Sequence, residues 1–189
     1  MDALDAIATR RTVGKLVEPV PDEAALARAF QAAIAAPDHK RLRPWRFLVI
    51  AGDARKQLGT LMAQSLKKRK PDTGVEDLER EASKSLRAPM IIAVMAKIDK
   101  GSNVPEIEQT LAVGAATQNL MLALHAQGFG TAWKTGPGSH SDIVREGLGL
   151  APDDRIIGFI YAGSISAAPP PATPANWQDY VSTWSGIAR

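Results

Sequence analysis

Three segments of this 189-residue chain carry side chains able to do chemistry on a small molecule. The first is Arg10-Arg11-Thr12: two guanidinium groups and a hydroxyl, a donor set that suits a phosphate because guanidinium binds it in a bidentate fork. The same cations could simply cap the end of a helix, where the dipole favours them. The second is the proline-bounded run Ala36-Pro37-Asp38-His39-Lys40-Arg41-Leu42-Arg43-Pro44-Trp45, which could hold an anion or a flat polar ring. Read blandly, it is a solvated loop leading Trp45 into the core. The third is Trp133-Lys134-Thr135-Gly136-Pro137-Gly138, a strand end running into a glycine-rich turn. Such a turn exposes backbone amides to a ligand's close approach, or is an ordinary turn.

Other chemistries are poorly served. His39, His125 and His140 are far apart and none has a second metal-type ligand at a useful spacing. Ser139, His140 and Asp142 are too close together to act as nucleophile, base and orienter, and no nucleophile-elbow sequence is present. Glu106 and Glu108, two apart on a helix, point to different faces and make a poor acid/base pair. Gly128-Phe129-Gly130 follows a helix and precedes a strand, the reverse of a phosphate-binding βα turn, and lacks the third glycine. With no cysteine, there is no thiolate nucleophile and no disulfide framework.

The elements that must position these segments follow from periodicity and punctuation. Leu4, Ile7 and Ala8 fall at helical spacing within 2–11. Asp22 can cap a helix over 23–35, striped by Leu26, Ala29, Phe30, Ala33 and Ile34 and stopped by Pro37. Helices are also expected over 53–69, 75–86, 105–127 and 140–148, the third of these beginning at Pro105 and followed by Gly128 as its cap. Strands are expected at 45–50, at 90–96 as a run buried on both faces, before Lys134, and at 156–162. The small residues Ala112-Val113-Gly114-Ala115-Ala116-Thr117 would let another helix approach closely, within the core or across a subunit interface. Residues 169–174, rich in proline, read as an extended strap. The fold class expected is α+β: one domain over 1–189, a sheet wrapped by helices.

Composition sets outer bounds. Hydrophobic content of 45% and charged content of 23% are those of a globular protein. No apolar run is long enough for a membrane span. The acidic opening Met1-Asp2-Ala3-Leu4-Asp5 is unlike a signal peptide, so a cytoplasmic protein is expected. The net charge of +3 is small. Its basic tetrad Lys67-Lys68-Arg69-Lys70 is followed by acidic residues with no interleaved aromatics, which argues against a nucleic-acid partner.

Taken in order, the three segments resemble the FMN-dependent nitroreductase family, and within it the short single-domain bacterial branch of YdjA-like NAD(P)H nitroreductases. The resemblance extends through Arg87-Ala88-Pro89, Val104-Pro105, Glu108-Gln109, Ala126-Gln127-Gly128-Phe129-Gly130, Ile157-Gly158-Phe159 and Tyr161-Ala162-Gly163. It implies a nitroreductase-like fold with a mostly antiparallel central sheet, and a homodimer with FMN at the subunit interface. Arg10, Arg11 and Thr12 would fall on the phosphate and ribityl positions, and Pro37, Asp38 and His39 on the loop that reaches flavin, with His39 a candidate for delivery by the partner chain. Trp133, Lys134 and Thr135 would line the isoalloxazine ring, with an amide of Thr135 or Gly136 near N5. Hydride would pass from NAD(P)H through flavin N5 to a nitroaromatic, a quinone or a similar small acceptor by a ping-pong route, with no catalytic side chain and no metal. The alternatives are a flavin store without turnover, or dehalogenation or enoate reduction on the same flavin. Two departures stand out. Asp38-His39-Lys40-Arg41 replaces the serine-rich loop common in relatives, and Ser164-Ile165-Ser166-Ala167-Ala168 lacks the cation that many carry after the last strand.

Overall fold

The computed structural model describes residues 1–171, 173 and 175–186. Its first helix, α1 (Ala3–Thr9), is capped by Asp2, whose carboxylate accepts from Asp5 N at 2.8 Å. It is shorter than the 2–11 expected. Arg10 is extended (ψ 131) because Thr12 must reach a parallel bridge with Thr131. A two-residue strand β1 (Leu16–Val17) follows, too short to leave a periodic signal. Helix α2 (Glu23–Ala33) is capped by Asp22 as expected, with Ala25 N donating at 2.7 Å. Then come β2 (Trp45–Ala51), α3 (Ala54–Arg69), α4 (Val75–Ser83), β3 (Met90–Ala96) and the long α5 (Glu106–Ala126). Gly128 stands just past α5 with φ +88, the left-handed conformation that suits glycine at a helix end. Strand β4 (Phe129–Lys134), a 3₁₀ turn at Pro137–His140, α6 (Asp142–Gly147) and β5 (Arg155–Ile165) complete the layer structure. The strap expected over 169–174 includes residues 172 and 174, which lie outside those described.

All strand pairs are antiparallel. β3 pairs β2 from Trp45↔Ala96 to Ala51↔Met90, and pairs β5 from Met90↔Ala162 to Ala96↔Arg155. β4 pairs the other side of β5, and β1 pairs its end at Leu16↔Ile165. The sheet therefore runs β4-β5-β3-β2, with β1 in line beyond β3.

The two faces of this sheet build two cores. α2 and α5 cover one, where Ile92, Val94, Leu120, Leu124 and Ile160 are fully buried. α3 and α6 cover the other, with Leu58, Ile91, Ala93, Val144 and Phe159. This is why every residue of β3 is buried, as its unbroken apolar sequence predicts. Glycine is compulsory at position 158: a Cβ there would stand 2.2 Å from Trp133 Nε1, whose N–H donates to Ile157 O at 3.3 Å.

Candidate functional site

The segment Arg10–Thr12 leaves α1 and is laid along β4, with Val13 N donating to Thr131 O at 3.0 Å. The two arginines then diverge. Arg11 Nη1 donates to Ala8 O at 2.7 Å and Arg10 O at 2.8 Å, so this guanidinium does serve the helix end. Arg10 Nη1 is buried and has no hydrogen-bond partner. It lines a cavity of about 150 Å³ with Thr9, His125 and Thr131, whose Oγ1 is also buried and unpartnered. No carboxylate lines this cavity. Burial first, then the charges of Arg10 and Arg11, hold the His125 pKa below the usual histidine value. Buried donors without acceptors beside uncompensated positive charge fit an anion such as phosphate.

Val13 also borders a second cavity, of about 310 Å³, lined by Gly14, Lys84, Arg87, Lys134, Gly136 and Tyr161. Lys134, Thr135 and Gly136 are exposed at its mouth. Lys84 is paired with Glu81 at 2.5 Å, while Lys134 and Arg87 add further charge with no carboxylate on the wall. Burial pushes the Tyr161 phenol up from its ordinary value, with Arg87 acting in the opposite sense. The two cavities share Val13 as a wall residue: the smaller has anion-binding character and the broader one is cation-rimmed. Such a pairing suits a ring system carrying a phosphorylated tail.

Trp133 does not share this wall. Strand alternation puts Ala132 on the α3/α6 side and turns the Trp133 indole into the α2/α5 core. Lys84 and Tyr161, by contrast, were not among the residues expected at the site. Lys84 and Arg87 sit on a 3₁₀ turn just before β3, and their only signal was a pair of cations three apart ahead of a buried strand.

The Pro37–Arg43 loop lies elsewhere. Asp38 Oδ2 accepts from Arg43 N at 2.6 Å, His39 Nδ1 bonds Glu108 Oε2 at 2.7 Å, and Lys40 bonds Asn103. Lys40, Arg41 and Arg43 all have positive φ (59, 55 and 51), a strained conformation for residues with a Cβ. The loop thus docks on the first turn of α5, whereas His125 and Arg10 meet at its last. Glu108 and His125 are seventeen residues apart, roughly 25 Å along a helix. Within one chain His39 stands well away from Arg10.

A third and wider cavity, about 570 Å³, is bordered by Glu106, Ser139, His140, Arg145 and Arg155. Ser139 and His140 meet there, but Asp142 is engaged by Arg145 at 2.6 Å and no hydrogen bond among the described residues links the three. Among the described residues no group of His, Asp or Glu is placed to hold a metal, and no helix is long and apolar enough to cross a membrane.

The sequence profile of the "Nitroreductase family" matches residues 7–164. The "Putative NAD(P)H nitroreductase YdjA" of Escherichia coli K12 is 38% identical over 164 residues, covering 87% of this chain and 88% of that one. A protein of Haemophilus influenzae named in the same terms is 39% identical over 165 residues, covering 87% and 89%. Among solved structures, a nitroreductase-like family protein from Bacillus cereus matches with a TM-score of 0.84 at 24% identity, over 98% of this chain and 97% of that one. A mutant of NfnB, an FMN- and NADPH-dependent nitroreductase from Sphigopyxis sp., matches with a TM-score of 0.77 at 21% identity, over 99% and 100%. Fold, cleft and sequence agree, and the chain belongs to the nitroreductase family.

Proposed function

We propose that this chain is an FMN-dependent oxidoreductase that carries reducing equivalents from NAD(P)H to a nitroaromatic, quinone or similar small acceptor. One observation carries the reading: Arg10 Nη1, buried and unpartnered, lines a small cavity that shares Val13 with a pocket rimmed by Lys84, Arg87 and Lys134. FMN, when bound, supplies reversible hydride acceptance at N5. Arg10 would hold the phosphate, with the exposed Thr12 hydroxyl beside it, and the turn Lys134–Gly136 would present main-chain amides to the ring. Lys134 and Arg87 would place positive charge where the reduced ring accumulates negative charge, by electrostatic preorganisation. Donor and acceptor would use the same open face of the ring in turn, and that sharing of one face would give ping-pong kinetics.

The working unit is a homodimer of 1–189 domains, located in the cytoplasm. Three features support the dimer. The stripe Ile107, Leu111 and Gly114 on α5 is uncovered: the two large side chains are 62% and 64% exposed, and a Cβ on Gly114 would meet nothing. Leu4 and Ile7 of α1 are exposed too, as are Trp177, Tyr180 and Trp184 near the end of the chain. The His39 loop, far from its own cleft, is well placed to serve a second copy's, together with Pro37 and Asp38.

The test is an absorption spectrum of protein incubated with FMN and desalted, before and after anaerobic NADH or NADPH. A retained flavin band that bleaches with one of the two is expected. Retention without bleaching would make the protein a flavin store, and absence of retained flavin would overturn the reading.

A further inference from the structure

We propose that His125 is a phosphate-binding residue of the flavin site and makes FMN retention proton-linked. The inference rests on the FMN reading above. The cavity that holds Arg10 Nη1 is bordered by His125 from the last turn of α5 and by Thr131 from β4, and Ser164–Ala168, at and just past the end of β5, brings no charge to it. Among the described residues lining it, His125 is therefore the group available, besides Arg10 and Arg11, to match a phosphate dianion.

The hydrogen bonds around the ring say which nitrogen would respond. Thr9 Oγ1 donates to Asp5 O at 2.5 Å, which uses its one hydrogen. At 2.9 Å from His125 Nε2 it must then accept, so Nε2 carries a proton and Nδ1 is the nitrogen left to titrate. A neutral ring brings a phosphate no charge; a protonated ring brings a full positive charge. Arg10 and Arg11, on the segment after α1, are the charged groups that act on the ring, and together with burial they keep it neutral in the free protein. Of the other packed elements, α1 carries Asp5, α2 carries Arg28, held at 2.7 Å by Gln127, and the sole charge on β4 is Lys134 at its far end. A phosphate between the arginines and the ring removes their repulsion of a proton and adds attraction for it. FMN binding then takes up a proton, and affinity falls as the pH rises through the ring's pKa in the complex.

Riboflavin, which lacks the phosphate, isolates this step. FMN and riboflavin dissociation constants are measured by quenching of flavin fluorescence for the wild type, His125→Gln and Thr9→Val, from about pH 6.5 to about pH 8.5, above the phosphate's own second ionisation at about 6. For the wild type, FMN should bind more tightly at the acid end while riboflavin is indifferent to pH. His125→Gln should weaken FMN by about ten- to a hundredfold at the acid end, leave riboflavin unchanged and flatten the pH dependence. Thr9→Val should lessen the dependence without removing it. If His125→Gln weakens both flavins equally, or if FMN affinity and its pH profile are unchanged, His125 has no phosphate role although the flavin reading stands. If the wild type binds neither flavin, the flavin reading itself fails.

Discussion

Two basic segments, one at each end of α5, show what charge in a sequence does and does not reveal. The loop 38–43 holds His39, Lys40, Arg41 and Arg43, and the segment 10–11 only two arginines. By density of charge the loop is the better anion site. Yet the Asp38 carboxylate holds the Arg43 amide, Glu108 holds His39 and Asn103 holds Lys40, while Arg41 and Arg43 stand exposed to solvent. At the other end Arg10 Nη1 and Thr131 Oγ1 are buried with nothing to bond. A buried donor left unpaired costs about 1–3 kcal/mol, so this end is arranged at a cost that a ligand can relieve. The loop's cost is instead conformational, in three left-handed residues, and its partners keep that shape in place.

The largest expected effect comes from breaking the contrast at its costly end. Arg10→Met removes the guanidinium and keeps an apolar stem of similar reach. FMN affinity should fall about a hundredfold, the loss of one or two charge-assisted hydrogen bonds. The melting temperature of the flavin-free protein should hold or rise, since a buried unpartnered donor, Arg10 Nη1, is gone. A flavin titration and a thermal melt on the same preparation check both. A falling melting temperature with unaltered affinity would make Arg10 structural, like Arg11.

The next effect asks whether the loop serves a second copy. Leu111→Asp puts a charge on the uncovered face of α5, 64% exposed in one chain. Light scattering should then report a monomer, and FMN affinity should drop about tenfold or more even though Arg10 and Lys134 are untouched. A monomer that keeps its flavin would confine the site to a single chain.

How much of this could be read from the residues varies with how local the cause is. Asp22 capping α2, Gly128 ending α5 and the doubly buried β3 are each written within a few positions, and each is where expected. Helix α1 was overestimated because what ends it is a bridge from Thr12 to Thr131, more than a hundred residues on. The site segments were legible as basic or glycine-rich runs, but their state was not. That Arg11 is occupied and Arg10 free depends on the carbonyls left by α1, and that Trp133 faces the core depends on the register of β4 against β5 and on the empty space at Gly158. Lys84 and Tyr161 reach the cleft only because the sheet brings β3's approach and β5 beside β4.

The smallest effect separates the loop's two possible roles. Glu108→Gln removes the negative charge that fixes His39, a pair with side chains 56% and 43% exposed. Exposed pairs contribute about 0–1 kcal/mol, so the melting temperature should barely change. If His39 meets a flavin on the partner chain, the pair orients it, and loosening it should change turnover or the KM for the acceptor by about threefold while FMN affinity is held by Arg10. The strained residues Lys40, Arg41 and Arg43 stay anchored through Asp38, so a kinetic change with no stability change would place His39 at the reacting face. Unchanged steady-state kinetics with either nicotinamide would reduce the loop to a clasp on α5, and its charge to solvation.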